Sequence, residues 1–316
     1  MTIGARRPVS AARFKAALRA ELVRTKLGRH RKRPLSKKFR VLYLVQGPRP
    51  AVLSKFYASL ISPRSQLLFL AFAAPQPRQF GALEFPKSLL GDGRNLLYLA
   101  ARAWERLLGY RYHYLIWLDD DIRMLRGDAR SFERFLMHWQ PALATPSEYA
   151  AHAFIPEFFQ CSGAGDCSEA FATCHLDHNF IAFHAEVIET LWPLDTRWDK
   201  ECWWTSQYRQ TAEASLRFRG HVLLAKRFTV VNYDHRYEDI GRQWNVTEAF
   251  GQAVDQMRAR LPANLRHCIR RVEDTPHGFP WGNALRKGSR QYDAWHLGML
   301  QESCDSRWDD SLSPDG

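Results

Sequence analysis

The feature that most constrains the fold is an alternation of apolar runs and amphipathic stretches between residues 39 and 121. Phe39–Gly47, Gln66–Ala74 and Tyr112–Leu118 are apolar runs of strand length, and helical spacing appears between them over 50–62 and 93–108. Strands that alternate with helices build a mostly parallel sheet through right-handed crossovers. We therefore predict an α/β, Rossmann-like fold with a mostly parallel central sheet flanked by helices.

The rest of the chain is less regular. We expect irregular structure over 145–175, a short strand over His178–His184 and a strand over His221–Val231 that ends near His235. Residues 246–300 read as a helical and loop-rich C-terminal extension of the same domain, and 301–316 as a disordered polar tail. The sequence thus predicts a basic arm over 1–38 and one main domain over 39–245, followed by this extension and tail.

Positive charge is concentrated at the N-terminus. The first 40 residues contain fourteen Lys and Arg and one acid, a net charge of +13, whereas the whole chain carries +12, so the remainder sums to −1. A near-neutral body does not indicate a nucleic-acid groove. A basic arm on such a body is typical of a tether, a targeting signal or a surface for anionic lipids.

The arm also shows a helical pattern. Phe14, Leu18, Leu22 and Val23 recur at helical spacing among basic residues, which fits an amphipathic helix on a membrane surface and equally a solvated terminal helix. No apolar stretch is long enough to span a bilayer, and the start lacks the apolar core of a secretory signal. We expect a cytoplasmic protein with peripheral contact to an anionic membrane; the Arg-rich start also fits an organellar transit peptide.

Three adjacent aspartates follow the third apolar run without a break. Asp119, Asp120 and Asp121 repel one another, and a cation relieves that cost; hard oxygen ligands favour Mn²⁺ or Mg²⁺. Alternation along an extended segment predicts Asp119 and Asp121 on one side, where they could share a ligand. The alternative is a solvated acidic turn or a helix cap.

The segment Tyr114-Leu-Ile-Trp-Leu-Asp-Asp-Asp121 resembles the DxD element of GT-A glycosyltransferases, and the strands before it resemble their nucleotide-binding half. The resemblance covers roughly residues 39–240 and makes 39–245 a GT-A catalytic domain. It implies a metal-dependent enzyme that moves a hexosyl or pentosyl group from a nucleotide-diphosphate sugar to a glycan or other hydroxyl acceptor. It further implies that Asp119 and Asp121 hold the cation, with Asp119 also touching the donor, and that His235 is a third metal ligand.

Residues 176–207 are rich in acids and Trp, and we expect them to meet the acceptor. The resemblance implies that one carboxylate here removes the proton of the acceptor hydroxyl if the anomeric centre inverts, and both Asp199 and Glu201 remain candidates. Retention of configuration also occurs on this fold. The remaining acceptor candidates are Asp177, Asn179, Trp203 and Trp204. Core packing and helix capping explain these side chains equally well.

Donor contacts are expected at the carboxyl ends of the strands. Gln46, Gly47 and Arg49 would contact the nucleotide, and Arg94 and Asn95, opening the next helix, would face sugar or phosphate. Two rival functions stay open. A nucleotidyltransferase has similar α/β geometry but usually starts with a Gly-rich, Lys-bearing loop, which Gly47-Pro-Arg-Pro is not, and a non-enzymatic membrane-surface protein would need no metal.

Overall fold

A computed structural model of the chain describes residues 11–26, 33–48, 55–72, 83–148, 170–172, 178–197, 199–200, 206–207, 210–211, 213–214, 218, 221–232 and 259. Its helices and strands follow one another as α1 (Ala11–Lys26), β1 (Val41–Gly47), α2 (Lys55–Ser59), β2 (Ser65–Ala71), β3 (Leu83–Glu84), α3 (Leu90–Leu108), β4 (Tyr114–Asp119), β5 (Ile122–Arg126), α4 (Ala129–Trp139), β6 (Leu143–Glu148), β7 (Phe171–Ala172), β8 (Phe180–His184), α5 (Ile188–Leu191) and β9 (Val222–Asn232).

The nine strands found among the described residues form one sheet, in the order β3-β2-β1-β4-β8-β6-β9-β5, with β7 paired to β9. The half β3-β2-β1-β4 is parallel, whereas β8 runs antiparallel to both β4 and β6. The predicted α/β fold is confirmed. Because β1 has β2 on one side and β4 on the other, the chain reverses its direction of strand addition there, which is where such sheets bind ligands.

Alternating residues of the strands pack into two hydrophobic cores. Leu42 and Leu44 of β1 face the core formed with α1, α3 and α5, and Val41, Tyr43 and Val45 face the core formed with α2 and α4. All seven residues of β1 are buried, as expected of a strand covered on both faces. The sheet is therefore held between two helical layers, and its strand ends are fixed in place.

The helix of the basic arm lies on the body. Phe14 and Ala17 of α1 are buried, and the Phe14 ring meets Trp104 of α3 edge-on at 6.0 Å between centroids. Glu21 pairs with Arg106 across the same contact. The segment predicted as a separate arm thus contributes a helix to the first core. Within the described residues, no helix is both long and apolar enough to cross a bilayer.

One local expectation needs correction. The sequence predicts irregular structure over the segment 145–175, but residues 145–148 belong to β6 and pair with β9, and Phe171–Ala172 form β7. Its central part, the predicted C-terminal extension and the tail lie outside the described residues, apart from residue 259. The predicted helix over 50–62 is described only as α2, since 49–54 are not among those residues.

Candidate active site

The carboxyl ends of β1 and β4 meet at one edge of the sheet. Gln46 is the register partner of Asp119, so the two residues predicted to share a rim lie on neighbouring strands. The next residue, Gly47, touches the Asp120 side chain so closely that a Cβ there would lie 2.5 Å from its carboxyl carbon. A glycine at the end of β1 is therefore what allows the Asp120 carboxylate to approach this strand.

The three aspartates form the link between β4 and β5. Asp119 ends β4, Asp120 and Asp121 form a turn, and β5 begins at Ile122. The strand alternation invoked for Asp119 and Asp121 therefore does not extend past Asp119, and the turn decides where the other two carboxylates point. The Tyr57 hydroxyl donates to the backbone carbonyls of Asp119, at 3.2 Å, and of Asp120. This tyrosine, which sequence reasoning missed, fixes the turn from α2.

Asp119 has a cationic partner inside the protein. The Arg94 guanidinium donates to its Oδ1 at 2.8 Å and to the backbone carbonyl of His178 at 2.9 Å, and only 1% of the Arg94 side chain is exposed. The sequence predicts that Arg94 faces the sugar or phosphate of the donor, and this stays a prediction. The contact that the structure shows is with the carboxylate at the end of β4.

Asp120, the middle aspartate, has a raised pKa. Burial, followed by the neighbouring carboxylates of Asp121 and Asp119, raises the pKa of Asp120 to about 7. This is the cost that a divalent cation would relieve. The described residues contain no group of three or more His, Cys, Asp or Glu side chains arranged around one metal position. The carboxylate oxygens of the turn fit a hard cation in chemistry, as part of a ligand set that other oxygens would complete.

A second acid lies across the first turns of α3. Asp199 is 2% exposed, and its carboxylate accepts from Ser206 N at 3.3 Å and Ser206 Oγ at 3.0 Å. A Cβ on Gly91 would collide with its Oδ2. Burial, partly offset by the bonds from Ser206, raises the pKa of Asp199 to about 7. Because Gly91 and Arg94 lie one turn apart on one helix face, α3 connects Asp199 with Asp119.

The start of α3 is also tied to the segment that precedes Asp199. Asn95 donates to the Leu194 carbonyl at 2.8 Å and accepts from Leu194 N at 2.7 Å. Thr196 Oγ1 donates to Asp92 at 2.9 Å. The prediction had Asn95 facing the donor, but its carboxamide is engaged in holding this loop against the helix. Asn95 is thus a positioning residue in this structure.

Gln46 and Asn179 complete the described part of the site. The Gln46 side chain is 5% exposed and rests against Gly93, where a Cβ would clash with its amide. The Asn179 backbone carbonyl accepts from Asp119 N at 2.9 Å. The adjacent His178 ring bonds Thr211 Oγ1 at 2.8 Å, a contact between distant segments that the sequence did not signal. The predicted residues Arg49, Asp177, Glu201, Trp203, Trp204 and His235 lie outside the described residues.

Neither a protein-family model nor a curated protein sequence matches this chain. Among solved structures, residues 1–349 of S. aureus TarS in complex with UDP-GlcNAc are 9% identical over 70% of this chain and 66% of that one, with a TM-score of 0.45. The mannosyltransferase PcManGT from Pyrobaculum calidifontis, in complex with GDP-Man and Mn²⁺, is 14% identical over 78% and 73%, with a TM-score of 0.43. At such identities and TM-scores the likeness assigns no substrate and no site residue.

Proposed function

We propose that this chain is a metal-dependent glycosyltransferase that moves a sugar from a nucleotide-diphosphate sugar to a hydroxyl acceptor. One observation carries the proposal: the first turns of α3 contact both the carboxylate at the end of β4 and a buried acid with a pKa of about 7, beside the point where the strand order reverses. Carboxylates that repel one another suit a cation, and an acid poised near neutral pH suits proton transfer.

The cation would be Mn²⁺ or Mg²⁺. Asp119 and Asp121 would hold it, with His235 as the proposed nitrogen ligand and donor oxygens as the remainder. The cation supplies Lewis-acid stabilisation of the departing diphosphate. Arg94 fixes the rotamer of Asp119, so that the carboxylate is pre-oriented before the donor arrives.

The nucleotide would lie along the end of β1. Gln46 is the register partner of Asp119 at this edge, Gly47 follows it at the end of β1, and Arg49 comes two residues after Gly47 in the sequence. The Gln46 Oε1 atom is buried without a hydrogen-bond partner in the part of the chain that the structure describes. A buried acceptor of this kind is costly unless a ligand donor satisfies it, and a nucleobase or ribose supplies such donors.

Asp199 is the base candidate that the described residues support, since its pKa of about 7 lets it take a proton at neutral pH. In the inverting reaction it would accept the proton of the acceptor hydroxyl as that oxygen attacks the anomeric carbon. The bond from that carbon to the diphosphate oxygen breaks, and the nucleoside diphosphate leaves with the electron pair. Glu201 remains the alternative base, and Asp177, Asn179, Trp203 and Trp204 are proposed to contact the acceptor.

The outer face of α1 is proposed to touch an anionic membrane surface. Lys15, Arg19, Leu22 and Val23 are exposed at helical spacing, opposite the buried Phe14 and Ala17, and Leu22 and Val23 are 43% and 56% exposed. Two cations beside two exposed apolar side chains complement anionic headgroups over an acyl layer. Such a contact would place the enzyme near a lipid-linked or membrane-associated acceptor.

Hydrolysis of the donor tests the proposal without knowledge of the acceptor. UDP-GlcNAc and GDP-mannose, incubated with the protein and Mn²⁺, should release UDP or GDP, and EDTA should stop the release. Asp121→Asn should lower the rate by about 100-fold or more. Glu186→Gln is a matched control, because Glu186 pairs with Arg111 beyond the opposite end of β8. Equal rates with and without Mn²⁺, or in Asp121→Asn and the unaltered protein, would refute the function.

A further inference from the structure

A cationic cavity lies away from the aspartates, between α4, the end of β5 and the middle of β9. It has a volume of about 650 Å³ and is lined by Arg126, Arg134, Arg227 and His138 together with Phe135 and Phe228. Arg126 ends β5, four residues beyond Ile122, so the cavity is roughly 13 Å along the strand from the aspartate turn. We refer to it as the arginine cavity.

Three elements form the arginine cavity: α4, the end of β5 and β9. Ser131, Arg134, Phe135 and His138 follow the i, i+3, i+4, i+7 spacing of one face of α4. Gly127 adopts φ +81°, and a Cβ there would lie 2.5 Å from the Phe228 ring. A left-handed residue without a side chain is therefore needed to bring the end of β5 against β9, where Arg126 is the register partner of Thr229, two residues from Arg227.

The electrostatics of the arginine cavity favour an anion. No acidic side chain lines it among the described residues. The nearest acid in sequence, Asp128, has its carboxylate engaged by Ser131 N at 2.9 Å and Ser131 Oγ at 2.7 Å, which lower its pKa. A cavity of this volume is roughly 11 Å across, close to the screening length of about 8–10 Å, so an anion inside it would be attracted by all three guanidinium groups.

We propose that the arginine cavity is a second binding site, for a small molecule or glycan segment that carries a phosphate or carboxylate group. Guanidinium groups bind both oxoanions through paired charge-assisted hydrogen bonds. The volume falls within the range of small-molecule pockets and exceeds what a bare oxoanion fills, so the anionic group belongs to a larger ligand. The site stands independently of the sugar-transfer function, because it uses none of the residues placed in that function.

Titration calorimetry of the full chain, without metal or nucleotide, tests the site. The probes are glucose 6-phosphate for the phosphate source, trigalacturonic acid for the carboxylate source and maltotriose as the uncharged comparison. We expect at least one anionic probe to bind, with an affinity that falls as salt is raised, and maltotriose to show no binding. The stronger anionic probe identifies the oxoanion.

The variant Arg126→Gln/Arg227→Gln removes two exposed guanidinium groups and should weaken binding by about tenfold or more. Arg126→Gln alone should show a smaller loss and guards against misfolding of the double variant. Lys15→Gln/Arg19→Gln removes the same charge from the outer face of α1 and should leave binding unchanged. Absence of binding by both anionic probes, or equal affinity in the double variant and the unaltered protein, would overturn the proposal.

Discussion

At the scale of single residues, the acids of the candidate site differ in what surrounds them. Asp119 is paired with a buried arginine, whereas the pKa of Asp120 is raised to about 7 by burial and by its two acidic neighbours. Asp199 reaches the same value mainly through burial, with Ser206 bonds opposing the rise. The same type of side chain thus differs in partner and in pKa according to its environment, which is why we propose different roles for the three acids.

Asp199→Asn should abolish transfer and should weaken the dependence of the free energy of unfolding on pH. The pKa of Asp199 is about 7 in the folded protein against an ordinary 3.8, so between these values the folded protein holds a proton that the unfolded chain releases. The free energy of unfolding therefore falls as pH rises from about 4 to about 7, and the variant should show a smaller fall in urea unfolding at several pH values. Transfer should drop about 100-fold or more.

Glu201→Gln is the comparison for that variant. If Asp199 is the base, Glu201→Gln should retain most of the transfer activity and keep the pH dependence of stability. An Asp199→Asn protein with near-normal transfer, alongside an inactive Glu201→Gln protein, would move the assignment to Glu201.

At the scale of elements, the first turns of α3 bring the two halves of the site together. Gly91 faces Asp199, Gly93 faces Gln46, and Arg94 reaches Asp119. Glycine in a helix costs roughly 0.5–1 kcal/mol relative to alanine, and here the missing side chains admit a carboxylate and a carboxamide. The element is therefore built for close approach at some expense of helix stability.

Gly91→Ala and Gly93→Ala should separate the two halves of the site. The added methyl of Gly91→Ala displaces Asp199, so kcat should fall about tenfold or more while the donor KM changes little. Gly93→Ala instead displaces Gln46, so the donor KM should rise with a smaller effect on kcat. Steady-state kinetics on both variants decide this. Identical effects of the two substitutions would show that the helix merely loses its position.

The elements nearest the site were the most predictable. The strand predicted over Phe39–Gly47 is found at Val41–Gly47, and the one predicted over Tyr112–Leu118 at Tyr114–Asp119, because fully buried strands leave continuous apolar runs. Contacts between residues that are distant in sequence leave no such pattern in the sequence. The contact of Arg94 with Asp119 and the reach of Tyr57 to the turn depend on strand order and helix placement, which local spacing does not encode.

Because α1 packs on the body, removal of the N-terminal residues should affect the stability of the protein. Phe14 and Ala17 fill the first core against Trp104, so removal of residues 1–38 should destabilise the protein rather than only release a tether. Phe14→Ala alone should lower the free energy of unfolding by about 3 kcal/mol. Membrane contact is better tested with Lys15→Gln/Arg19→Gln and Leu22→Ser/Val23→Ser, whose side chains lie on the exposed face.

Both of those double variants should reduce co-sedimentation with vesicles of phosphatidylglycerol and phosphatidylcholine, and the charge variant should lose most at low salt. Donor hydrolysis should be unchanged, because α1 contacts α3 far along the helix from Gly91. Equal partitioning of both variants and the unaltered protein would exclude α1 as a membrane surface.

At the scale of the whole molecule, charge is divided among three places. The first 40 residues carry a net +13 on a body that sums to −1, the arginine cavity collects cations on one side of the sheet, and the aspartates collect anions where the strand order reverses. The two cationic regions suit anionic ligands, and the aspartates suit a cation. The three aspartates should bind a cation together with a nucleotide diphosphate.

Thermal unfolding with a panel of nucleotide sugars, in the presence and absence of Mn²⁺, tests that claim most directly. UDP-GlcNAc, GDP-mannose and other donors should raise the midpoint only when Mn²⁺ is present, since cation and diphosphate bind as one unit to the folded protein. In Asp121→Ala the joint rise should vanish while the midpoint without ligands stays equal or increases, because one repelling carboxylate is gone. A donor-dependent rise that is the same without Mn²⁺, or that persists in Asp121→Ala, would contradict the account.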